Sequence, residues 1–118
     1  MNESDLRDKI RKMMQACGAG YFKIHGNKMQ TSGWPDLYLY SRIWTGWLEL
    51  KAGSNPLDPL QRAQIKSLRM QHVPVFVLRG LTPKAAILQD EDGNELGPIT
   101  LTDGPDLLRQ LAMKSHKL

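Results

Sequence analysis

The sequence is poor in the residues that staple small folds. A single cysteine, Cys17, stands among 118 residues, so no intrachain disulfide can form. Cysteine and histidine never recur at the spacing of a structural zinc site. Long apolar runs are missing as well. The stretch Val73-Pro74-Val75-Phe76-Val77-Leu78 is among the longest, far short of the roughly 20 residues that cross a bilayer. The opening MNESDLRDKIRK is charged and has no apolar core of a secretory leader. Internal repeats and low-complexity tracts are also lacking. These absences predict a soluble, cytoplasmic protein that relies on an ordinary hydrophobic core and has no membrane partner.

What is present fits that expectation. A chain of 118 residues with 41% hydrophobic and 24% charged residues has the composition and size of one globular domain. The net charge is +4, with a pI near 9.4, and it is unevenly spread. No acid occurs from Lys9 to Pro35, where Lys9, Arg11, Lys12, Lys23 and Lys28 stand. None occurs from Gln61 to Gln89 either, against Arg62, Lys66, Arg69, Arg79 and Lys84. Such segregation favours phosphate-rich partners.

The periodicity predicts an α/β order of helix, three strands, helix and strand, followed by a hairpin and a last helix. Leu6, Ile10, Met13, Met14 and Cys17 recur at helical spacing, which places a first helix over Ser4–Gln15, capped by Asn2 or Ser4 and ended by Gly18 and Gly20. A short strand, Tyr21–Ile24, precedes a polar loop. Two runs, 36–40 and 46–51, read as a hairpin. Asp58, Pro59 and Gln61 give a cap, a first-turn proline and a capping-box partner for a helix reaching Gln71. A buried strand follows over Val73–Leu78. Beyond it, Ala85–Leu88 and Ile99–Leu101 form a hairpin around the acidic turn Asp90–Glu95, which reads as solvated. Thr102 or Asp103 caps a helix over Pro105–Met113.

The chemistry sits in the first hairpin. A turn near Arg42–Trp44 makes paired positions sum to about 85–87, which sets Asp36 opposite Glu49–Lys51. Alternation then puts Leu37, Leu39, Leu48 and Leu50 on an apolar face. The other face takes Asp36, Tyr38, Tyr40, Trp47, Glu49 and Lys51. Two adjacent carboxylates repel unless a cation intervenes, and hard oxygen donors without His or Cys suit Mg²⁺ or Mn²⁺. Lys51 can orient an attacking water or stabilise developing negative charge. Together these are the parts needed to hydrolyse a phosphodiester. A solvated ladder of charges on a sheet is the bland alternative.

Gly33-Trp34-Pro35-Asp36-Leu37, then Leu48-Glu49-Leu50-Lys51, then Pro59-Leu60-Gln61-Arg62-Ala63-Gln64, resemble the VRR-NUC branch of the PD-(D/E)xK nucleases. The compact members of that branch, many of them phage or bacterial, are similar to Holliday-junction resolvases. The resemblance spans Glu3 to Arg79. It implies a restriction-endonuclease-like domain with an α-β-β-β-α-β core, a mixed sheet flanked by helices, and residues 80–118 as an extension. It further implies Mg²⁺- or Mn²⁺-dependent cleavage of DNA that leaves a 5′-phosphate, by a homodimer acting on branched substrates. Carried over by position, Asp36 and Glu49 are metal ligands with the Leu50 carbonyl, and Lys51 is the catalytic lysine. Glu3 matches the acid of the first helix and Gln61 the glutamine of the second. A favourable acid in a helix first turn explains Glu3 equally well; a capping box is the alternative for Gln61, whose stripe with Ile65 and Leu68 favours the site role. Lys23 matches a basic residue of the first strand, near the bound phosphate.

Nucleic-acid contacts are expected from Trp34, beside Asp36, and from Arg62, Lys66 and Arg69, which share one helical ridge. Trp44, at the hairpin tip, is expected to meet DNA or a partner chain. His25 and His72 lack a second ligand at metal spacing. A non-catalytic nucleic-acid-binding module on the same fold is the alternative, and a sequence-specific restriction nuclease is a third reading.

Overall fold

The computed structural model describes residues 1–24 and 33–116; His25 and Lys28 lie outside them. Helix α1 (Glu3–Cys17) begins at Asn2, whose side chain accepts from the Asp5 amide while Asp5 answers in a capping box. It ends at Gly18 in the left-handed region (φ 73°), a conformation that glycine adopts without steric cost. Strands β1 (Gly20–Lys23), β2 (Leu37–Tyr40) and β3 (Gly46–Ala52) follow, then helix α2 (Pro59–Met70), strands β4 (Val75–Thr82), β5 (Ala85–Gln89) and β6 (Glu95–Thr100), and helix α3 (Gly104–Ser115). No described helix is long and apolar enough to cross a membrane.

All six strands form one sheet in the order β1-β2-β3-β4-β5-β6. Only β3 and β4 run parallel, because α2 carries the chain back between them; the other neighbours are antiparallel. The sheet is therefore mixed and flanked by helices, as expected. Leu6, Ile10 and Met14 of α1 and Leu107, Leu108 and Leu111 of α3 bury one face against Leu37, Leu39, Leu48, Leu50, Phe76, Leu78 and Leu88. On the other face, Ile65 of α2 packs with Val75 and Val77, and Trp47, Leu57 and Leu68 join it from the margin. Residues 80–116 continue the same sheet and core through β5, β6 and α3.

Three expectations need correction. Strand β4 starts at Val75 rather than Val73, because His72 turns the chain with φ 61° and the Pro74 carbonyl already receives the Trp47 amide. Trp44 does not wait at the surface for a partner. It is 6% exposed, stacks on Phe76 with ring centroids 6.0 Å apart, and donates from its indole Nε1 to Ser115 Oγ at 2.7 Å. The β2–β3 connection folds over the end of the core, and α3 supplies both the cover and the polar partner that a buried indole needs. The acidic turn is not simply solvated, since Glu91 is buried and paired with Arg69 of α2.

Candidate active site

The β2–β3 register pairs Leu37 with Leu48 and Tyr38 with Trp47. One step further on, Asp36 comes opposite Glu49, just past the end of β2. The Asp36 Oδ2 accepts from the Leu50 amide at 2.9 Å. In an extended strand the amide and carbonyl of one residue point to the same side. The Leu50 carbonyl is thereby turned toward Asp36, beyond the last β2 pair.

Glu49 alternates to the α2 face and is only 1% exposed. Its Oε2 accepts from Gln61 Nε2 at 3.2 Å, while its buried Oε1 has no hydrogen-bond partner among the described residues. Burial pushes its pKa up to about 9; the Asp36 charge acts the same way, Glu3 adds a little, and Lys51 opposes them. Without a cation this carboxyl holds its proton at neutral pH. Lys51 lies two residues further along β3 on the same face, 8% exposed, with its Cα paired to that of Arg79.

Gln61 fulfils both of its expected roles at once. Its Oε1 accepts from the Asp58 amide at 3.1 Å to close the capping box, which leaves the amide nitrogen free to reach Glu49. Glu3 sits half-buried in the first turn of α1, and its Oε2 accepts from Asn55 Nδ2 at 3.1 Å. The turn bearing Asn55 is clamped by Arg79, whose Nη1 donates to the Gly53 carbonyl (2.9 Å) and the Asn55 carbonyl (2.7 Å) while its Nε donates to Gln89. Asp36, Glu49, Lys51, Gln61 and Glu3 are thus gathered where β2, β3, α1 and α2 converge.

Arg7 and Asn55 escape a reading of the sequence. Arg7 Nη2 lies 4.0 Å from Asp36 Oδ1, and its Nε is buried without a partner among the described residues. A signal for it existed: Arg7 follows Glu3 by four residues and precedes Ile10 by three, on the same inward stripe of α1. Asn55 occupies an irregular turn, and only the tertiary fold brings it to Glu3.

The expected nucleic-acid residues divide. Trp34 joins the site face, with its ring 5.5 Å from that of Trp47. Gly33 before it takes φ 81°, and a Cβ there would come within 2.7 Å of the Leu60 carbonyl oxygen, so glycine is required where the chain passes α2. Lys23 is exposed at the end of β1, opposite Leu37, and so belongs to the α1 side of the sheet. Lys66 is exposed on α2. Arg69 is held by Glu91, and Arg62 donates from Nε to the Glu91 carbonyl at 3.3 Å and lies 4.0 Å from Asp92. The ridge is therefore partly neutralised by the β5–β6 turn, which folds back onto it.

No three His, Cys, Asp or Glu side chains among the described residues group to hold a metal. The donor set here is smaller: two carboxylates and a backbone carbonyl. Mg²⁺ fits such a set, because it keeps several waters and takes only one or two carboxylates from a protein. The bare, buried Glu49 Oε1 beside Asp36 is the position a cation would satisfy.

This mixed sheet with its helical cover has a counterpart among solved structures. Among solved structures, the chain is similar to Hjc, a Holliday junction resolvase from the archaeal hyperthermophile Archaeoglobus fulgidus, with a TM-score of 0.59 and 14% identity over 92% of this chain and 98% of that one. No protein-family model matches the sequence, so VRR-NUC membership gains no support from that comparison. No curated protein matches it either.

Proposed function

We propose that this chain is a metal-dependent endonuclease that hydrolyses phosphodiester bonds in branched DNA, folding as one nuclease domain and acting as a homodimer. The observation that carries the reading is Glu49, buried beside Asp36 with one oxygen unpartnered and Lys51 on the same strand face. A structural carboxylate buried so deeply is ordinarily satisfied on both oxygens. Leaving one bare raises the cost of burial unless something binds there.

Asp36, Glu49 and the Leu50 carbonyl would hold Mg²⁺ or Mn²⁺, which supplies charge neutralisation and Lewis-acid activation at a phosphate. The Leu50 amide fixes the Asp36 carboxylate, and Gln61 fixes the Glu49 rotamer through a helix cap that cannot move independently. Lys51 presents its ammonium to the water that attacks phosphorus and to the negative charge that develops there. The water oxygen bonds to phosphorus as the bond to the 3′ sugar oxygen breaks; the proton the water sheds passes to solvent and one from solvent completes the 3′-hydroxyl, leaving a 5′-phosphate. Glu3, fixed by Asn55, adds negative charge on the α1 side.

Branched DNA is favoured because the Hjc structure with the same fold is that of a Holliday junction resolvase. A homodimer would place two sites about a two-fold axis, one for each of two symmetric cuts. Labelled four-way junction, flap, duplex and single-stranded DNA, each incubated with Mg²⁺, Mn²⁺ or EDTA beside Glu49→Gln, test the proposal. Metal-dependent cleavage that is abolished in the variant is expected. Binding without cleavage of any substrate, unchanged in the variant, would establish a non-catalytic module instead.

A further inference from the structure

Beside the carboxylates, the half of the sheet that no described helix covers carries aromatic rings in sequence. Trp34 lies 5.5 Å from Trp47, Trp47 lies 4.9 Å from Tyr38, and Tyr38 lies 6.0 Å from Tyr40 with its ring inclined by 30°. Phe22 pairs with Tyr38 across β1–β2 and so shares this face. Helix α2 covers the sheet only over β4 and the margin of β3, and Phe22 and Tyr40 remain 56% and 53% exposed. Single exposed apolar residues are ordinary, whereas a contiguous aromatic strip is not.

Three features say what covers it. The strip is continuous with the site, since Trp34 and Trp47 each stand two residues before a site carboxylate, Asp36 and Glu49. Its chemistry is aromatic and poor in acid: between Lys9 and Leu48 the only acid is Asp36. Tyr40, moreover, is laid across its partner strand. Its ring occupies the space that a Cβ at Gly20 would need, so glycine lets the ring lie flat with a face outward. Flat rings in a strip with few carboxylates suit nucleobases, every one of which offers a π face.

We propose that Trp34, Trp47, Tyr38, Tyr40 and Phe22 form a base-stacking track that receives unpaired nucleotides running from the cleavage site across the sheet. The inference rests on the nuclease reading for its direction, and it narrows the substrate to DNA with a single-stranded arm or an opened branch point.

The test uses the full chain in EDTA, where no cleavage intervenes, with fluorescein-labelled (dT)12 and a blunt duplex of equal length as probes. Binding of (dT)12 is expected to quench the fluorescence of Trp34 and Trp47 and leave that of buried Trp44. Phe22→Ala and Tyr40→Ala are each expected to weaken (dT)12 binding about five- to tenfold and leave duplex binding unchanged. Tyr40→Leu keeps apolar area without a π face and should lose as much as Tyr40→Ala. Full affinity in Tyr40→Leu, absence of quenching, or equal losses on duplex overturns the track. So does sedimentation showing a dimer that Tyr40→Ala disperses while (dT)12 leaves it intact, which would assign the strip to a second copy. Failure of cleavage with (dT)12 binding as expected would instead overturn the nuclease reading alone.

Discussion

The protonated state of Glu49 gives the site a measurable signature before any substrate is added. Its pKa rises from 4.5 to about 9 on folding, so between those values the folded protein binds a proton that the unfolded chain has released. Stability must then fall as pH rises through that window and level off outside it. The slope is about 1.4 kcal/mol per pH unit, or about 4 kcal/mol between pH 5 and pH 8. Glu49→Gln keeps the shape and an acceptor oxygen but cannot titrate, so its stability should lack this component. Thermal unfolding in EDTA at pH 5, 6, 7 and 8 reads the difference. Wild type should lose roughly 5–6 °C per unit against the variant, on the scale expected for a domain of this size. Mg²⁺ should flatten the wild-type slope by favouring the carboxylate, and leave the variant unchanged. Parallel curves for the two proteins in EDTA would refute the claim that Glu49 is desolvated next to a charged Asp36.

Other expectations follow from the same contacts. Gln61→Ala removes a capping-box partner and the only hydrogen bond to Glu49 Oε2 among the described residues, so it should cost about 1–2 kcal/mol in denaturant unfolding and slow cleavage, while Gln61→Leu should do the same to both readouts. Trp44→Ala should cost about 3–5 kcal/mol, since it empties the core above Phe76; Ser115→Ala should cost about 1 kcal/mol by leaving the indole N–H unpaired. A surface Trp44 would show neither loss. Arg69→Met strands Glu91 in a buried position and should destabilise by about 3 kcal/mol, whereas Lys66→Ala should leave stability unchanged and weaken DNA binding, with a shallower salt dependence.

The sequence by itself determined the element order, because periodicity, caps and turn residues are local signals. The α1 stripe, the Asp58-Pro59-Gln61 start of α2 and the alternation in β2 and β3 each carry their own period. Even the hairpin register was legible, since a one-residue slip would have turned the charges into the apolar layer under α1 and taken the leucines out of it. Asp36, Glu49 and Lys51 could therefore be placed together from spacing alone. Long-range packing decided the rest. Trp44 is buried because α3, sixty residues downstream in rough count, folds over the hairpin tip and brings Ser115 to its indole. Arg62 and Arg69 lose part of their charge because the β5–β6 turn docks Glu91 and Asp92 beside them. Gln61 meets Glu49 only because the parallel β3–α2–β4 crossover lays the start of α2 over β3. The α1 stripe turns Arg7 inward, but that it meets Asp36, and that Asn55 meets Glu3, is decided by the tertiary fold. A side chain's neighbours across the sheet depend on where whole elements dock, and docking is settled by burial summed over the fold, to which each of these residues contributes little.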